Sequence, residues 1–199
     1  QLGKNVLIID CDLRKPTMQN LFDLENIVGL SNLLTDKNAN WKNQIQKILT
    51  RIKPSTIFYF AGQSSPQISF YKKDETLKSN FQGCKNVLEV VFKNKLNLKF
   101  VNATSSEMYG HIKGKIDLNT PKKPLNPYGE AKKMSFNLVK KYRDDYNMKN
   151  YNAVMFNTES YLREKHFLIA KICVGAIMAY KKKQKLTLNN IIVTREWNW

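Results

Sequence analysis

The sequence is poor in glycine, and this scarcity limits how it could hold a phosphate group. Only 8 of its 199 residues are glycine, and none of them has the GxxxxGK[ST] or GxGxxG spacing. Loops with that spacing bring backbone N–H groups close to phosphate oxygens at the start of a helix. The sequence therefore lacks the two commonest glycine-based phosphate cradles.

Cysteines and long apolar runs are also scarce. The three cysteines, Cys11, Cys84 and Cys173, are odd in number and far apart, and they show no metal-like clustering. This pattern predicts reduced thiols in a cytoplasmic protein, with neither a disulfide framework nor a metal site. The longest apolar stretch, residues 167–180, includes Lys171 and is too short to span a bilayer. No signal peptide opens the sequence, so we expect no membrane partner.

Acidic residues are few relative to basic ones. There are 16 Asp and Glu against 33 Lys and Arg, for a formal net charge of +17. Two interpretations stay open, a polyanionic partner such as nucleic acid or membrane, and a lysine-rich composition spread over solvated faces. Only residues 181–185 form a basic run, and no nucleic-acid-binding motif accompanies it. We favour the second interpretation and expect no nucleic-acid partner, although a basic rim would attract a nucleoside diphosphate.

Alternating strand-like and helix-like patterns predict an α/β fold. Short apolar runs typical of strands occur at residues 6–9, 56–61, 96–101, 151–156 and 186–188. Helical periodicity occurs at residues 41–52 and 74–93. We expect a Rossmann-like, mainly parallel sheet with helices on both faces. We expect it to be incomplete because the glycine-rich first βα unit is absent, with residues 6–10 in the place of an early strand.

A hydroxyl-rich turn and a capped helix carry the candidate chemistry. Ser105, Ser106 and Glu107 follow the strand predicted at 96–101, at the end where open α/β sheets place their active sites. Further along, Asn126-Pro127 predicts a helix start, so that Tyr128 and Lys132 share one helix face. A nearby ammonium lowers the pKa of a phenol, which would make Tyr128 a usable base. The plain alternative is a tyrosine and a lysine on an ordinary amphipathic helix.

The first 40 residues show a different pattern. VLIIDCDLRKP, followed by FDLENIVGLSNLL, resembles the second Walker-type motif of bacterial polysaccharide-biosynthesis tyrosine kinases. In such sites carboxylates like Asp10 and Asp12 hold Mg²⁺ and orient phosphates. The alternative is a strand followed by a solvated acidic turn. Because no Walker A loop or Walker B strand accompanies the motif, we expect no phosphoryl transfer from residues 1–40.

The rest of the sequence resembles the extended short-chain dehydrogenase/reductases, and among them the GDP-mannose 4,6-dehydratases. The resemblance covers about residues 48–199 and rests on IKPSTIFYFAGQSSPQISF, SSEMYG, NPYGEAK, MFNTES and TREWNW. It implies that residues 41–199 form an NAD(P)-binding domain that stops before the family's C-terminal substrate part. It also implies a lyase of GDP-fucose biosynthesis that converts GDP-mannose to a 4-keto-6-deoxy product, with NADP as cofactor and NAD as the alternative. A homo-oligomer is compatible with the family.

The resemblance also assigns roles to individual residues. For catalysis it implies that Tyr128 removes a hydroxyl proton, Lys132 supports Tyr128, Glu107 moves the C5 proton and Ser105 assists loss of water. Cofactor binding would fall to Ala61, Gly62, Gln63, Ser64, Tyr128, Lys132, Asn157 and Arg163. Substrate binding would fall to Ser106, Asn157, Glu159, Lys171 and Arg195. Asn80 and Gly83 resemble a family Asn and Gly that we expect to serve packing.

Several departures from the family pattern predict weak activity. AGQS at residues 61–64 resembles the family's AAQS turn, where small residues let the backbone approach a ligand closely; an ordinary strand-to-loop turn is the alternative. Thr158 replaces a histidine, and an arginine is lost just before Lys171. With the glycine loop also missing, we expect poor NADP⁺ binding. Two other functions stay open: an ATP-binding fragment of a polysaccharide-export kinase, and an inactive module that binds sugar nucleotides.

Overall fold

The computed structural model describes residues 6–9, 23, 41–161, 165, 167–183, 185–188 and 196–198. The chain divides into two compact units, Gln1–Ala153 and Val154–Trp199.

The first unit alternates helices and strands along the chain. Its helices are α1 (Trp41–Ile52), α2 (Pro66–Tyr71), α3 (Lys73–Leu77), α4 (Gly83–Lys93) and α5 (Pro127–Tyr146). A π-helical turn, Lys78–Gln82, joins α3 to α4, and a 3-10 helix, Ser106–Tyr109, precedes α5. Its strands are β1 (Thr56–Tyr59), β2 (Lys99–Ser105) and β3 (Asn150–Met155).

The helical predictions agree with these bounds. α1 coincides with the periodic stretch 41–52. The helix predicted at 74–93 is present as one run in which the turn Lys78–Gln82 widens to π-helical hydrogen bonding. A π-turn inserted in a helix frequently marks a functional region.

The three strands form one parallel sheet in the order β1–β2–β3. β1 and β2 pair in parallel. Between β2 and β3, the Phe100 N–H donates to the Lys149 carbonyl at 3.0 Å, and the Thr104 hydroxyl donates to the Ala153 carbonyl at 3.1 Å. Residue numbers rise in the same direction along both strands in these two contacts, so β2 and β3 are also parallel. The predicted α/β, Rossmann-like class is confirmed.

The hydrophobic core lies between α4, β2 and α5, with α1 packed on α4. Cys84, Leu88, Phe100 and Val139 are fully buried there. Burying a large apolar side chain stabilises the fold by about 1.5–3 kcal/mol, so this layer holds the central strand in place.

The central strand differs from its prediction. We expected residues 96–101, but β2 runs from Lys99 to Ser105. Residues 96–98 have no regular structure and follow the turn after α4. β2 continues past the apolar run because its later polar side chains are bonded inside the fold. Asn102 donates to the Asn152 side-chain oxygen at 3.1 Å, for example. Buried polar residues with partners do not end a strand, and apolar pattern alone therefore misplaced it.

Two other predicted strands are wrong. Residues 6–9 have no regular structure and are exposed, from 77% at Val6 to 40% at Ile9. Residues 186–188 also lie outside any strand. A short apolar run becomes a buried strand only when a neighbouring strand completes its hydrogen bonds, and neither run joins a sheet in the described part of the chain. Residues 6–9 therefore do not take the place of an early strand.

The second unit contains β4 (Asn157–Thr158), α6 (Leu168–Lys182) and β5 (Trp197–Asn198). β4 and β5 pair in parallel, with Asn157 opposite Trp197. α6 covers most of the longest apolar stretch. Among the described helices of both units, none is long and apolar enough to cross a membrane.

Candidate active site

Ser105 ends the central strand and begins the turn that carries the candidate carboxylate, Glu107. It is 8% exposed, and its hydroxyl accepts a hydrogen bond from the Glu107 N–H at 3.3 Å. That bond caps the 3-10 helix, whose first residue is the half-buried Ser106. Because a hydroxyl that accepts one bond keeps its own proton to donate, Ser105 can still serve as a donor.

Asn126 links Glu107 to the helix that carries Tyr128. Its Oδ1 accepts from the Gly129 N–H at 2.7 Å, which is the predicted helix cap. Its Nδ2 donates to Glu107 Oε2 at 2.8 Å. Sequence reasoning found only the first contact. A single side chain therefore both starts α5 and fixes the carboxylate beside the first turn of that helix.

Gly129 allows this close approach. A Cβ atom built at this position would lie 2.5 Å from the Glu107 carbonyl oxygen and 3.0 Å from its carbon. No side chain fits there without moving backbone, since non-bonded contacts this short are repulsive. A glycine three residues after a helix cap was the available signal, and sequence reasoning did not use it.

Lys132 lies one turn further along α5 and points back to β2. It is 6% exposed, and its ammonium donates to the Ala103 carbonyl at 2.8 Å. Its Nζ is 5.6 Å from the centroid of the half-buried Tyr128 ring. Burial lowers the pKa of Lys132 to about 8, so most of it is still protonated at neutral pH. The structure therefore fixes a positive charge beside Tyr128.

Cys84 is the titratable neighbour of Lys132 in the core. It is fully buried, and burial raises the pKa of its thiol to about 12. The thiol is therefore neutral at physiological pH and contributes no charge that would stabilise the ammonium of Lys132. A buried neutral thiol is also a poor nucleophile. We assign Cys84 to packing.

The turn at residues 61–64 follows β1 at the same edge of the sheet as Ser105, since β1 and β2 are parallel. Gly62 has a φ of +145°, a conformation that favours glycine. Its neighbour Gln63 is held at both backbone groups by the π-helical turn: its N–H donates to Ser79 Oγ at 3.2 Å, and its carbonyl accepts from Asn80 at 2.9 Å. Ala61 is half-buried, and Gly62 and Ser64 are exposed. An exposed glycine backbone of this kind fits a ligand that approaches closely.

Other predicted site residues lie in the second unit. Asn157 is in β4, and its side chain donates to the Glu196 carbonyl at 3.1 Å. Residues 157–158 of NTES and 196–198 of TREWNW are therefore neighbours within this unit. Glu159 is 6% exposed. Arg163 and Arg195 lie outside the described residues.

Lys171 lies in the first turn of α6 and lines a cavity of about 430 Å³. Two further lysines, Lys165 and Lys185, line the same cavity. All three are exposed, and the lining residues that the structure describes include no carboxylate. Such a surface attracts anions, and the substrate-binding role of Lys171 stays a prediction.

A model of the GDP-mannose 4,6 dehydratase family matches residues 5–199. The chain belongs to this family. Its relatives include a GDP-mannose 4,6 dehydratase of Drosophila melanogaster, 31% identical over 78% of this chain and 40% of the relative. Another, from Sinorhizobium fredii, is 33% identical over 76% of this chain and 44% of the relative. The chain therefore spans less than half the length of these family members.

Solved structures share the fold at lower identity. RMD from Pseudomonas aeruginosa, complexed with NADPH, has a TM-score of 0.65 at 23% identity, covering 72% of this chain and 51% of that one. The dTDP-glucose 4,6-dehydratase DesIV from Streptomyces venezuelae, with NAD and TYD bound, has a TM-score of 0.68 at 20% identity. That match covers 78% of this chain and 47% of DesIV. Both matches show that this chain shares their fold.

The kinase resemblance of the first 35 residues is not shown by these matches. The dehydratase family match begins at residue 5 and so includes the VLIIDCDLRKP segment. Asp10 and Asp12 lie outside the described residues.

Proposed function

We propose that the chain carries the catalytic part of a nucleotide-sugar 4,6-dehydratase that acts on GDP-mannose, with NADP as cofactor and NAD as the alternative. The observation that carries this proposal is the contact of Asn126 with Glu107, because it joins the strand-end carboxylate to the helix of Tyr128 and Lys132. Family membership adds the reaction class. The product would be a 4-keto-6-deoxy sugar nucleotide.

Tyr128 is the proposed base for the sugar hydroxyl at C4. Lys132, fixed by the Ala103 carbonyl, places a positive charge beside the ring and favours the phenolate. When bound, a nicotinamide would accept a hydride and later return it. Positioned bases of this kind contribute about 10²–10⁴-fold to a rate.

Glu107 and Ser105 are the proposed groups for the elimination step. The Asn126 amide orients the Glu107 carboxylate, which would take the proton from the sugar C5. The Ser105 hydroxyl, whose oxygen is already fixed by the Glu107 N–H, would donate to the oxygen that leaves C6 as water. Glu107 would thus act at C5 and Ser105 at C6 of the same dehydration.

The residues present fit one end of a dinucleotide better than the other. Lys132, Tyr128 and the turn at residues 61–64 fit the end that carries the nicotinamide, since they lie at one edge of the sheet. The glycine loop that would hold the pyrophosphate is absent from the sequence. Charge-assisted hydrogen bonds are worth about 1.5–3 kcal/mol each, so losing several of them costs orders of magnitude in affinity. We therefore expect weak NADP⁺ binding and slow or no turnover.

Substrate phosphates are assigned to the basic cavity in the second unit. Lys171 is the residue that the family resemblance supports, and Lys165 and Lys185 supply positive charge near it. The family resemblance also proposes substrate binding for Ser106, Asn157, Glu159 and Arg195, and cofactor binding for Arg163.

The test is conversion of GDP-mannose to its 4-keto-6-deoxy product by purified chain with added NADP⁺, followed by NMR. Tyr128→Phe should reduce any turnover to background, while Tyr146→Phe, at the exposed end of the same helix, should leave it unchanged. Turnover that survives Tyr128→Phe would overturn the proposed base. Ligand-observed NMR with GDP-mannose separates an inactive binding module from a chain that binds nothing.

A further inference from the structure

The segment between the two parts of the proposed catalytic group, residues 111–125, is here called the arm. It leaves the 3-10 helix that carries Glu107 and returns to Asn126, which starts α5 and donates to the Glu107 carboxylate. Within the described part of the chain, no hydrogen bond or ion pair joins the arm to the rest of the fold. Its side-chain hydrogen bonds close inside the arm, in a turn at residues 117–120. The arm is therefore held by packing and by contacts of another kind.

Lys122 supplies such a contact. Its ammonium lies 4.4 Å from the centroid of the Phe136 ring on α5 and 5.4 Å from the centroid of the Tyr109 ring at the end of the 3-10 helix. At both distances a cation is attracted to the face of an aromatic ring. Lys122 is half-buried and pairs with no carboxylate in the described part of the chain. One side chain of the arm therefore contacts both helices between which the arm runs.

The two rings are firmly placed. Tyr109 is 3% exposed. Phe136 is half-buried, and its carbonyl accepts from the Asn152 side chain at 3.0 Å, which ties this turn of α5 to β3. The rings therefore offer the Lys122 ammonium a fixed surface on which to rest.

The chain just after Lys122 is packed against backbone. Gly110 has a φ of +72°, and a Cβ atom built there would overlap the Lys123 carbonyl oxygen and lie 3.1 Å from the carbonyl carbon. Lys123 therefore lies directly on the residue that precedes the arm. Because only three residues separate Lys122 from Asn126, and the first of them is packed in this way, the position of Lys122 constrains where Asn126 lies at the start of α5.

We propose that Lys122 is a positioning residue for Glu107. Its ammonium, resting on the Tyr109 and Phe136 rings, holds the arm against both helices and thereby keeps the Asn126 amide on the carboxylate. With a neutral side chain of the same length, packing alone would hold the arm, and the Asn126 contact would open more often. The inference rests on the proposed function for what Glu107 does in the reaction, and on the contacts alone for the role of Lys122.

The experiment uses the full chain and four variants: Lys122→Met, Lys122→Arg, Phe136→Leu and Lys123→Met. Methionine removes the charge at similar length, whereas arginine keeps a cation that can lie on the same rings. Lys123 is the matched control, because it is an exposed neighbour whose ammonium contacts no ring in the described part of the chain. Each protein is prepared with isotope-labelled lysine and asparagine for NMR.

Three NMR measurements report the contact and its consequence. The ε-methylene signal of Lys122 should lie upfield of the other lysine signals, because ring currents shield a group above an aromatic face, and Phe136→Leu should move it back toward them. The side-chain amide signals of Asn126 report its bond to Glu107. Hydrogen exchange at the Gly129 N–H, which donates to Asn126 Oδ1, reports how often the Asn126 side chain leaves its place.

Lys122→Met should speed exchange at the Gly129 N–H about fivefold and shift the Asn126 side-chain signals toward those of exposed asparagines. Lys122→Arg and Lys123→Met should change the exchange rate by less than about twofold and leave the Asn126 signals in place. Combining Lys122→Met with Phe136→Leu should add little to either alone, because both remove the same contact. Any turnover of GDP-mannose should fall about fivefold in kcat in Lys122→Met, with KM within about twofold, since Glu107 acts after the sugar is bound.

An exchange rate in Lys122→Met equal to that in Lys123→Met would overturn the positioning role. A Lys122 signal among those of exposed lysines would overturn the ring contact, and equal effects of methionine and arginine at position 122 would overturn the part played by the cation. If Lys122→Met does not fold, Phe136→Leu removes the closer of the two ring contacts and should also speed exchange at the Gly129 N–H. If the unaltered chain converts no GDP-mannose, the proposed function fails, while the NMR measurements still decide whether Lys122 holds the Asn126 contact.

Discussion

The central strand β2 and the edge strand β1 of the three-stranded sheet differ in side-chain burial and in the number of strands that pair with them. In β2, Phe100, Asn102, Ala103, Thr104 and Ser105 are all buried, and strands flank it on both sides. In β1, Phe58 is 62% exposed, and Phe60, just beyond the strand, is 66% exposed. Their rings stack on each other with 6.2 Å between the centroids. β1 has one partner strand in the described part of the chain.

This difference separates the two halves of the proposed site. Ser105, Glu107 and Lys132 rest on β2 and α5, where buried packing fixes them. The turn at residues 61–64 rests on β1 and depends on single hydrogen bonds from Ser79 and Asn80. We infer that the proton-transfer groups keep their arrangement without ligand more firmly than the proposed cofactor turn does, because the free energy of local opening follows burial and local contacts.

The largest expected effect contrasts one phenylalanine from each strand. Phe100→Ala should lower the free energy of unfolding by about 3–5 kcal/mol, because it leaves a cavity in the core. Phe58→Ala should cost less than about 1 kcal/mol, since that ring is mostly in solvent already. Urea denaturation followed by circular dichroism measures both. Equal losses would show that β1 is buried in solution by something outside the described contacts.

A second test addresses the contact between α5 and the strand end. Replacing glycine by alanine usually favours a helix, yet Gly129→Ala should destabilise by about 1–3 kcal/mol, because the new Cβ overlaps the Glu107 carbonyl. Glu130→Ala, at the next and exposed position, serves as control and should stay within about 0.5 kcal/mol. Thermal and urea unfolding measure whether each substitution stabilises or destabilises the fold. A stabilised Gly129→Ala protein would mean that the helix start is looser than the structure shows.

The smallest expected effect is a dependence of the free energy of unfolding on pH, which arises from the buried Lys132. The pKa of Lys132 is about 8 in the folded chain and 10.5 in its ordinary state. Between these values the unfolded chain binds more protons, so the free energy of unfolding should rise with pH, by about 1 kcal/mol from pH 8 to pH 9. Well below pH 8 Lys132 is protonated in both states, and the cost of burying its charge is present in full.

Cys84 limits the pH range over which the free energy of unfolding should rise. Its thiol pKa rises from 9.0 to about 12 on folding, so it makes stability fall with pH above 9 and opposes Lys132 there. Lys132→Met should remove the rise between pH 8 and 9, whereas Lys78→Met, at an exposed position in the π-helical turn, should retain it. Identical pH profiles for all three proteins would contradict the burial of a charged Lys132.

Local sequence signals predicted a large part of this fold and site. The 3.6-residue periodicity of 41–52, the Asn126-Pro127 start of α5 and the spacing of Tyr128 and Lys132 each depend on a few neighbouring residues. Such signals can be read directly, because helix hydrogen bonds and caps close within four residues along the chain. The apolar run at 6–9 misled because a strand needs a partner from elsewhere.

By itself, the sequence determined the alternation of helices and strands, the helix that presents Tyr128 and Lys132, and the lack of a glycine cradle. Only the tertiary structure decided that Asn126 reaches Glu107, that Gly129 must lack a side chain and that Asn80 fills the space beside Gly62. These contacts join residues 17 to 22 positions apart or set the space between elements, and such distances depend on how the helices pack on the sheet. The pattern of neighbouring residues in the sequence does not determine that packing.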